Sequence, residues 1–317
     1  MGQVHTMTGP HDIEQLAAMA YDFIVDTVLA DLGWADYEAM FCDYRDRRQQ
    51  QFPMICIDGL PLVVYQAVGG DPQEAVPLAA AWIQFLLSGR ILDDVLDDEG
   101  LSQPWRYQDL KETVAAGLFA VSGANIALAR ISNQEAALDI TEAFNKTVAL
   151  AARAEVQSTA NAKQTVETYF QSVVAKSGLV FATGVWAAAR LAISDTTDPR
   201  LQALYDFGLA MGVMVQLVDD CNDLPLDVDQ GYWTLPVLHS LTQTEHPRYP
   251  LLADLLKQEP LNEKQVTEIV AIIEEIGSLA WCEQQAVFYQ EQAIQSLTTI
   301  AGIDSSLLIN YVTEEHH

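Results

Sequence analysis

The chain has 317 residues, half of them hydrophobic, and sets 44 Asp and Glu against 16 Lys and Arg for a net charge of −28. That charge excludes nucleic acid and anionic membrane surfaces as partners, and it suits a phosphorylated substrate only where metal ions supply positive charge locally. Cys42, Cys56, Cys221 and Cys282 show no paired spacing of a zinc site or a disulfide framework, so reduced thiols in a cytoplasmic protein are expected.

No Ser/Gly-rich linker divides the sequence, so residues 1–317 are expected to form one all-α domain, with 1–10 and 314–317 as disordered tails. The start, Met1-Gly2-Gln3-Val4-His5, lacks the basic-then-apolar pattern of a secretory signal. Hydrophobic periodicity predicts an amphipathic helix over 11–31 and a second over 35–49. The second carries Arg45, Arg47 and Arg48, which are either a solvated helix face or a diphosphate or partner site. A short apolar helix over 60–68 meets the turn Gly69-Gly70-Asp71-Pro72, which opens a long helix over 73–98. Further helices are expected over 107–131, 134–161, 164–193, 199–224, 262–277 and 279–300, with a short one at the C-terminus. Thr113 to Ala129 is uncharged but thick with Gly, Ala, Ser and Asn, so it reads as a buried core helix and no membrane span is expected. Short joints between these segments predict a helical bundle with antiparallel neighbours.

The chain is organised around Arg90-Ile91-Leu92-Asp93-Asp94-Val95-Leu96-Asp97-Asp98-Glu99. On a helix Asp93 and Asp97 share a face, and Asp94 and Asp98 repeat the arrangement one position round. Like charges at that spacing repel by about 0.2–0.5 kcal/mol per exposed pair, so stability alone would scatter them. The stretch is therefore either a solvated acidic helix end or a ligand set for a hard cation such as Mg²⁺. A second stretch, Gln216-Leu217-Val218-Asp219-Asp220-Cys221-Asn222-Asp223, again ends an apolar helix with two carboxylates, Asp219 and Asp223, four apart. Two copies shift the weight to the cation. Facing carboxylate clusters would hold Mg²⁺ between them, with a phosphorylated substrate completing the coordination.

With these motifs the sequence resembles the trans-isoprenyl diphosphate synthase (polyprenyl synthetase) family, the all-helical class I isoprenoid synthases. Gly69-Gly70-Asp71-Pro72 leads into the first motif as in that family, and Lys176-Ser177-Gly178-Leu179-Val180-Phe181 resembles its Lys-Thr segment. Gln216 stands at the expected offset before the second motif, and Thr234-Leu235-Pro236-Val237-Leu238 follows it. The resemblance runs from about residue 60 to 240 and implies a single-domain bundle with a central substrate cavity. It implies three Mg²⁺ ions that bind an allylic prenyl diphosphate and help remove its diphosphate, leaving an allylic carbocation, and it implies a homodimer. Asp93, Asp97 and Asp219 are the implied direct ligands, with Asp94, Asp220 and Asp223 as further metal residues. Lys176 would add a point charge at the phosphate, the alternative being a snorkelling surface lysine. Gln216 would stabilise the cation or bind phosphate, the alternative being a satisfied core glutamine. Ser88 and Gly89 are small where short-chain members carry aromatics, which implies a deep pocket; Trp82 and Phe85 are either its floor or core.

The sequence departs from the family where isopentenyl diphosphate is bound. Counting back from Asp71, Met54, Ile55 and Ile57 fall at three basic positions. Ser102 and Gln103 replace an Arg-Arg pair, leaving Arg106 as the nearest cation and a candidate substrate-binding residue, and Gly231-Tyr232 replaces a Gly-Lys. Charge-assisted hydrogen bonds are worth about 1.5–3 kcal/mol each, so isopentenyl diphosphate should bind orders of magnitude more weakly. The expected activity is ionisation followed by cyclisation, quenching or transfer to another acceptor such as a peptide side chain. Chain elongation with an acceptor site rebuilt from Arg45, Arg47 or Arg48, and a non-catalytic subunit, are the alternatives.

Overall fold

The computed structural model describes residues 10–30, 32–51, 57–96, 103–107, 109–157, 164–258, 260–298 and 300–313. Among these every regular element is helical. The tails expected at 1–10 and 314–317 fall outside them apart from Pro10. Residues 1–144, 184–202 and 300–317 make one compact unit; residues 145–183 and 203–299 make another.

The first unit contains α1 (Pro10–Phe23), which continues as a π-helical turn Ile24–Leu29, then α2 (Ala35–Gln51) and α3 (Leu60–Ala67). A 3₁₀ turn, Pro72–Ala75, leads into α4 (Val76–Leu96), and a second, Pro104–Tyr107, precedes α5 (Leu110–Leu128). Between α3 and α4, Gly69 takes a φ of 90°. Gly70 lies under the Tyr65 ring, where any Cβ would collide. Tyr65 Oη in turn donates to Glu74 Oε2 at 2.8 Å. The Gly-Gly-Asp turn is thus a steric requirement of the entry into α4.

Buried residues run along α4 from Val76 to Ile91, and α5 packs against it through small side chains. A Cβ on Gly117 would lie 2.7 Å from Leu92, and one on Gly123 would lie 3.2 Å from Gln84 Oε1. That close approach explains why Thr113 to Ala129 is so rich in Gly and Ala, and most of the inward face of α5 is buried as a core helix requires. In the same unit Arg190 is wholly buried, donating to Asp139 Oδ2 at 2.8 Å and to Ile193 O at 3.0 Å. Removing one partner of such a pair costs about 3–5 kcal/mol, because it strands a buried charge.

The helices α6 (Gln134–Gln157), α8 (Leu179–Ala192) and α9 (Pro199–Asn222) each contribute residues to both units. The second unit adds α7 (Val166–Val173), a π-helical stretch Val174–Gly178, α10 (Leu224–Gln230), α11 (Leu235–Thr242), α12 (Tyr249–Leu255), α13 (Glu263–Ile276) and α14 (Ser278–Thr298). α15 (Ser305–Thr313) belongs to the first unit. Among the described residues the second unit's core includes a cluster around Ile269, Ile272 and Ile273 and another around Leu217, Leu235 and Cys282.

The sequence reading placed no helix between 224 and 262, and α10, α11 and α12 fill that interval. Each opens with proline in its first turn, at Pro225, Pro236 and Pro250. Proline is at home in that position, since its missing N–H would be unpaired anyway. Among the described residues three helical stretches, Pro72–Leu96, Val166–Ala192 and Pro199–Asn222, are long and apolar enough by length and composition to cross a membrane. Packing accounts for much of that apolarity: 72% of the first apolar window is buried within the protein.

Candidate active site

The second acidic motif is built on α9 and fixed by glycine. A Cβ on Gly208 would come 2.8 Å from the Ala182 backbone, and one on Gly212 would come 2.7 Å from Ser177 O. Ser177 Oγ donates to Gly212 O at 2.8 Å across the same contact. The π-helical stretch carrying Lys176 is therefore pressed onto α9 one turn before Gln216. Single π turns inside α-helices recur at functional sites because they re-aim a side chain.

At the end of α9 the three aspartates are sorted. Asp220 is buried, 4% exposed, while Asp219 and Asp223 are exposed. Asp220 accepts from Tyr169 Oη, from Gln216 Nε2 at 2.9 Å and from the Leu235 backbone N–H at 3.3 Å. Burial pushes the Asp220 carboxyl above the usual carboxylate range, against the pull of those hydrogen bonds. Burial beside Asp220 also holds the Tyr169 phenol well above its ordinary value, so it remains a donor. Both Asp220 oxygens accept from the protein, which clamps α7, α9 and the start of α11 together around this carboxylate. Thr234 Oγ1 donates to Asp227 Oδ2 at 3.0 Å, which sets the connection that presents Leu235. Asp223 begins α10 without capping it through its side chain.

Lys176 is half-buried and ion-paired to Glu155, and the Gln216 amide is held by Asp220. Neither partner was foreseen. Tyr169 stands two helical turns before Lys176, a spacing visible in the sequence, but nothing there marks which acid it meets.

In the first unit Asp93 is exposed at the end of α4. Asp94 accepts from Trp105 Nε1 at 2.8 Å, so one oxygen anchors the Pro104–Tyr107 turn. Asp97 and Asp98 lie outside the described residues, as do Met54, Ile55 and Ser102. Arg106 falls in the Pro104–Tyr107 turn, its side chain outside the described set. Trp82 is fully buried, donates to Ile57 O at 2.8 Å and lies against Gly184. Phe85 packs 5.0 Å from Phe144, and Ser88 is buried. Gly89 is exposed, with nothing within 4 Å of where its Cβ would stand. A 420 Å³ groove lies beside Trp34, Asp36, Met40, Asp43 and Glu112, and Trp82, Phe85, Ser88 and Gly89 are not among its lining residues.

The arginine cluster of α2 is tied into local pairs. Arg45 bonds Asp46 at 3.0 Å, Arg47 bonds Asp43 at 2.8 Å, and Arg48 grips the buried Asp58 at 3.1 and 3.2 Å. Tyr21 Oη donates to the same Asp58 at 2.9 Å.

Among the described residues no three His, Cys, Asp or Glu side chains converge to hold a metal. Each motif by itself presents exposed carboxylate oxygens, Asp93 in the first and Asp219 and Asp223 in the second, the donor type that a hard divalent cation takes.

Residues 60–273 match the family model described as polyprenyl synthetase. The chain belongs to the polyprenyl synthetase family. An octaprenyl diphosphate synthase of Escherichia coli is 24% identical over 266 residues, covering 78% of this chain and 79% of that protein. The fold matches a geranylgeranyl pyrophosphate synthetase from Pyrococcus horikoshii with a TM-score of 0.80 at 19% identity, covering 96% of this chain and 98% of that one. A geranylgeranyl pyrophosphate synthase from Corynebacterium glutamicum, solved with calcium and isoprenyl diphosphate, matches at a TM-score of 0.76 and 17% identity over 96% and 94% of the two chains. As a polyprenyl synthetase, the chain is an enzyme of the isoprenyl synthase family with the all-helical fold its sequence implied.

Proposed function

We propose that this polyprenyl synthetase ionises an allylic prenyl diphosphate with the help of Mg²⁺, releasing pyrophosphate and leaving a cation that cyclises, is quenched or is captured by an acceptor other than isopentenyl diphosphate. The observation that carries this reading is the sorting of the second motif, with Asp220 held inward by three donors and Asp219 and Asp223 turned outward. Paired exposed carboxylates repel unless a cation joins them. The Corynebacterium relative solved with calcium and isoprenyl diphosphate supports the same chemistry here.

Asp93, Asp97, Asp219 and Asp223 are the proposed ligands of three Mg²⁺ ions, which when bound supply Lewis-acid assistance to the departing diphosphate. Lys176, held by Glu155, places a positive charge for a phosphate oxygen. Gln216, oriented by its bond to Asp220, presents its remaining amide oxygen to a developing cation. Asp93→Ala and Asp219→Ala should each abolish pyrophosphate release with the fold intact.

The local ion pairs of Arg45, Arg47 and Arg48 argue against an acceptor site rebuilt from them. Chain elongation is the second reading, favoured by the octaprenyl diphosphate synthase among the relatives. Pyrophosphate release from geranyl, farnesyl and geranylgeranyl diphosphates with Mg²⁺ separates them, run with and without isopentenyl diphosphate and followed by product mass. Release without isopentenyl diphosphate supports the first reading, and a longer diphosphate formed only with it supports the second. We also propose a cytoplasmic homodimer, which sedimentation of the purified protein tests for assembly.

A further inference from the structure

The 420 Å³ groove of the first unit carries acids that the proposed reaction leaves unused. One wall is α2, which lines it with Asp36, Ala39, Met40 and Asp43. Those positions follow the i, i+3, i+4, i+7 pattern of a single helix face, acid at each end and apolar between. Pro104 and Glu112 supply the other wall, and Trp34 stands just before α2. Phe119 of α5 packs on Trp34 and Tyr37, with ring centres 5.2 and 4.4 Å apart, while Trp105, shortly before α5, lies 6.0 Å from Tyr44. α5 therefore runs antiparallel to α2 along the groove, and Glu112 stands at its Asp43 end. Met40 and Pro104 are buried and give the groove an apolar floor, whereas all three carboxylates are exposed. Among the described residues the Asp36 and Glu112 side chains have no hydrogen bond or ion pair. Asp43 is paired with Arg47 on the surface, a weak type of pair that leaves lone pairs on the carboxylate for a second donor.

We propose that this groove binds a linear aliphatic polyamine, with one terminal ammonium at Asp36 and the other between Asp43 and Glu112. Charge and length both select that occupant. Asp36 and Asp43 are two helical turns apart, about 10.5 Å along the axis of α2. An extended chain of single bonds advances roughly 1.1–1.2 Å per bond, so the nine bonds between the terminal nitrogens of spermidine span about 10–11 Å. Its methylenes lie over Met40, Ala39 and Pro104, burying apolar surface on both sides. Trp34 sets an aromatic ring at the Asp36 end, a surface that attracts cations.

A chain charge of −28 draws any cation toward the surface without choosing a place for it. The groove chooses, because it alternates acid, apolar floor and acid as a polyamine alternates ammonium, methylenes and ammonium. A lysine side chain of a basic peptide carries one ammonium on its stem, so it would satisfy one end of the groove and leave the other unmatched. The site requires neither Mg²⁺ nor a prenyl diphosphate, and so stands apart from the function proposed above.

Equilibrium dialysis of the full-length protein against labelled spermidine, at physiological ionic strength and without divalent cations, tests the site. One spermidine per chain should bind saturably, and putrescine, with five bonds between its nitrogens, should compete at least tenfold more weakly. Asp36→Asn should weaken spermidine at least tenfold. Glu38→Gln removes the same charge from the same first turn of α2 but outside the groove, and should leave binding unchanged. Both acids are exposed, so each variant should keep the parent's circular dichroism. Equal weakening by the two substitutions, several spermidines per chain, or putrescine bound as tightly would reduce the effect to diffuse attraction and overturn the proposal. Competition by hexalysine that outdoes spermidine would make the groove a peptide site, and no retained spermidine would leave it without this ligand; either result overturns the proposal as well.

Discussion

Tyr169 and Asp220 show how a single buried hydrogen bond can decide which aspartates of a motif face outward. In Tyr169→Phe the Asp220 carboxylate keeps the Gln216 and Leu235 donors but loses its phenol. Leaving a buried acceptor short of a donor costs about 1–3 kcal/mol, so the variant should melt at lower temperature than the parent. Its thermal shift with Mg²⁺ and pyrophosphate should shrink as well, because the turn carrying Asp219 and Asp223 is no longer pinned. A lower melting point with an unchanged shift would make Tyr169 a packing residue only. His239 permits a pH test in the same unit. It stacks on Trp281 at 4.1 Å and shares a 2.9 Å hydrogen bond with Ser278, and burial lowers its pKa from 6.5. The folded state therefore binds fewer protons than the unfolded chain, so the stability held above pH 6.5 is lost as the pH falls below that value toward the depressed folded pKa. His239→Gln, melted over the same pH range, should flatten that part of the decline. Repetition made Asp93, Asp219 and Asp223 legible in the sequence. It could not separate Asp220 from Asp219, because the partners that turn one inward come from α7 and α11.

The helices that carry these residues were legible wherever apolar periodicity runs long. α4, α5, α9, α13 and α14 lie close to where the sequence puts them, because each buries a continuous face. The short helices α10 to α12 were missed because fewer than three turns give too little periodicity, and their N-terminal prolines look like punctuation. The π-helical stretch Val174–Gly178 was invisible for another reason. It depends on Gly212, in a different helix, allowing the backbone of Ser177 and Gly178 to come close. Gly212→Ala tests that dependence. Its Cβ would stand 2.7 Å from Ser177 O and 2.9 Å from Gly178 Cα, both backbone atoms that no rotamer change can move. Overpacking of this kind costs about 1–3 kcal/mol. The variant should melt lower and release pyrophosphate more slowly, since Lys176 and Gln216 lose their common register. Gly89→Ala serves as the control, because no atom lies within 4 Å of the added methyl group and only the helix propensity changes. A Gly212→Ala protein as stable as the Gly89→Ala control would mean that the contact yields without cost.

For the molecule as a whole, a charge of −28 sets the conditions under which a diphosphate can be approached at all. Positive charge is scarce and much of it is tied up. Arg45, Arg47, Arg48, Lys176, Arg190, Arg200, Arg248 and Lys257 all sit in ion pairs with acids of the same chain. On the proposed function, an anionic substrate meeting this surface would be repelled unless divalent cations bound first, which would make metal a condition of encounter as well as of chemistry. Salt alone weakens the self-repulsion of the fold by screening, and the Debye length falls to about 3 Å at 1 M ionic strength. MgCl₂ and NaCl compared at equal ionic strength therefore separate the two effects. Melting temperature should rise with either salt, and rise further with MgCl₂ because bound cations stabilise the state that binds them. Asp93→Ala and Asp219→Ala should keep the common rise and lose the extra one, since screening does not depend on any single carboxylate. Equal curves for the two salts in the parent protein would reduce both motifs to solvated acidic helix ends.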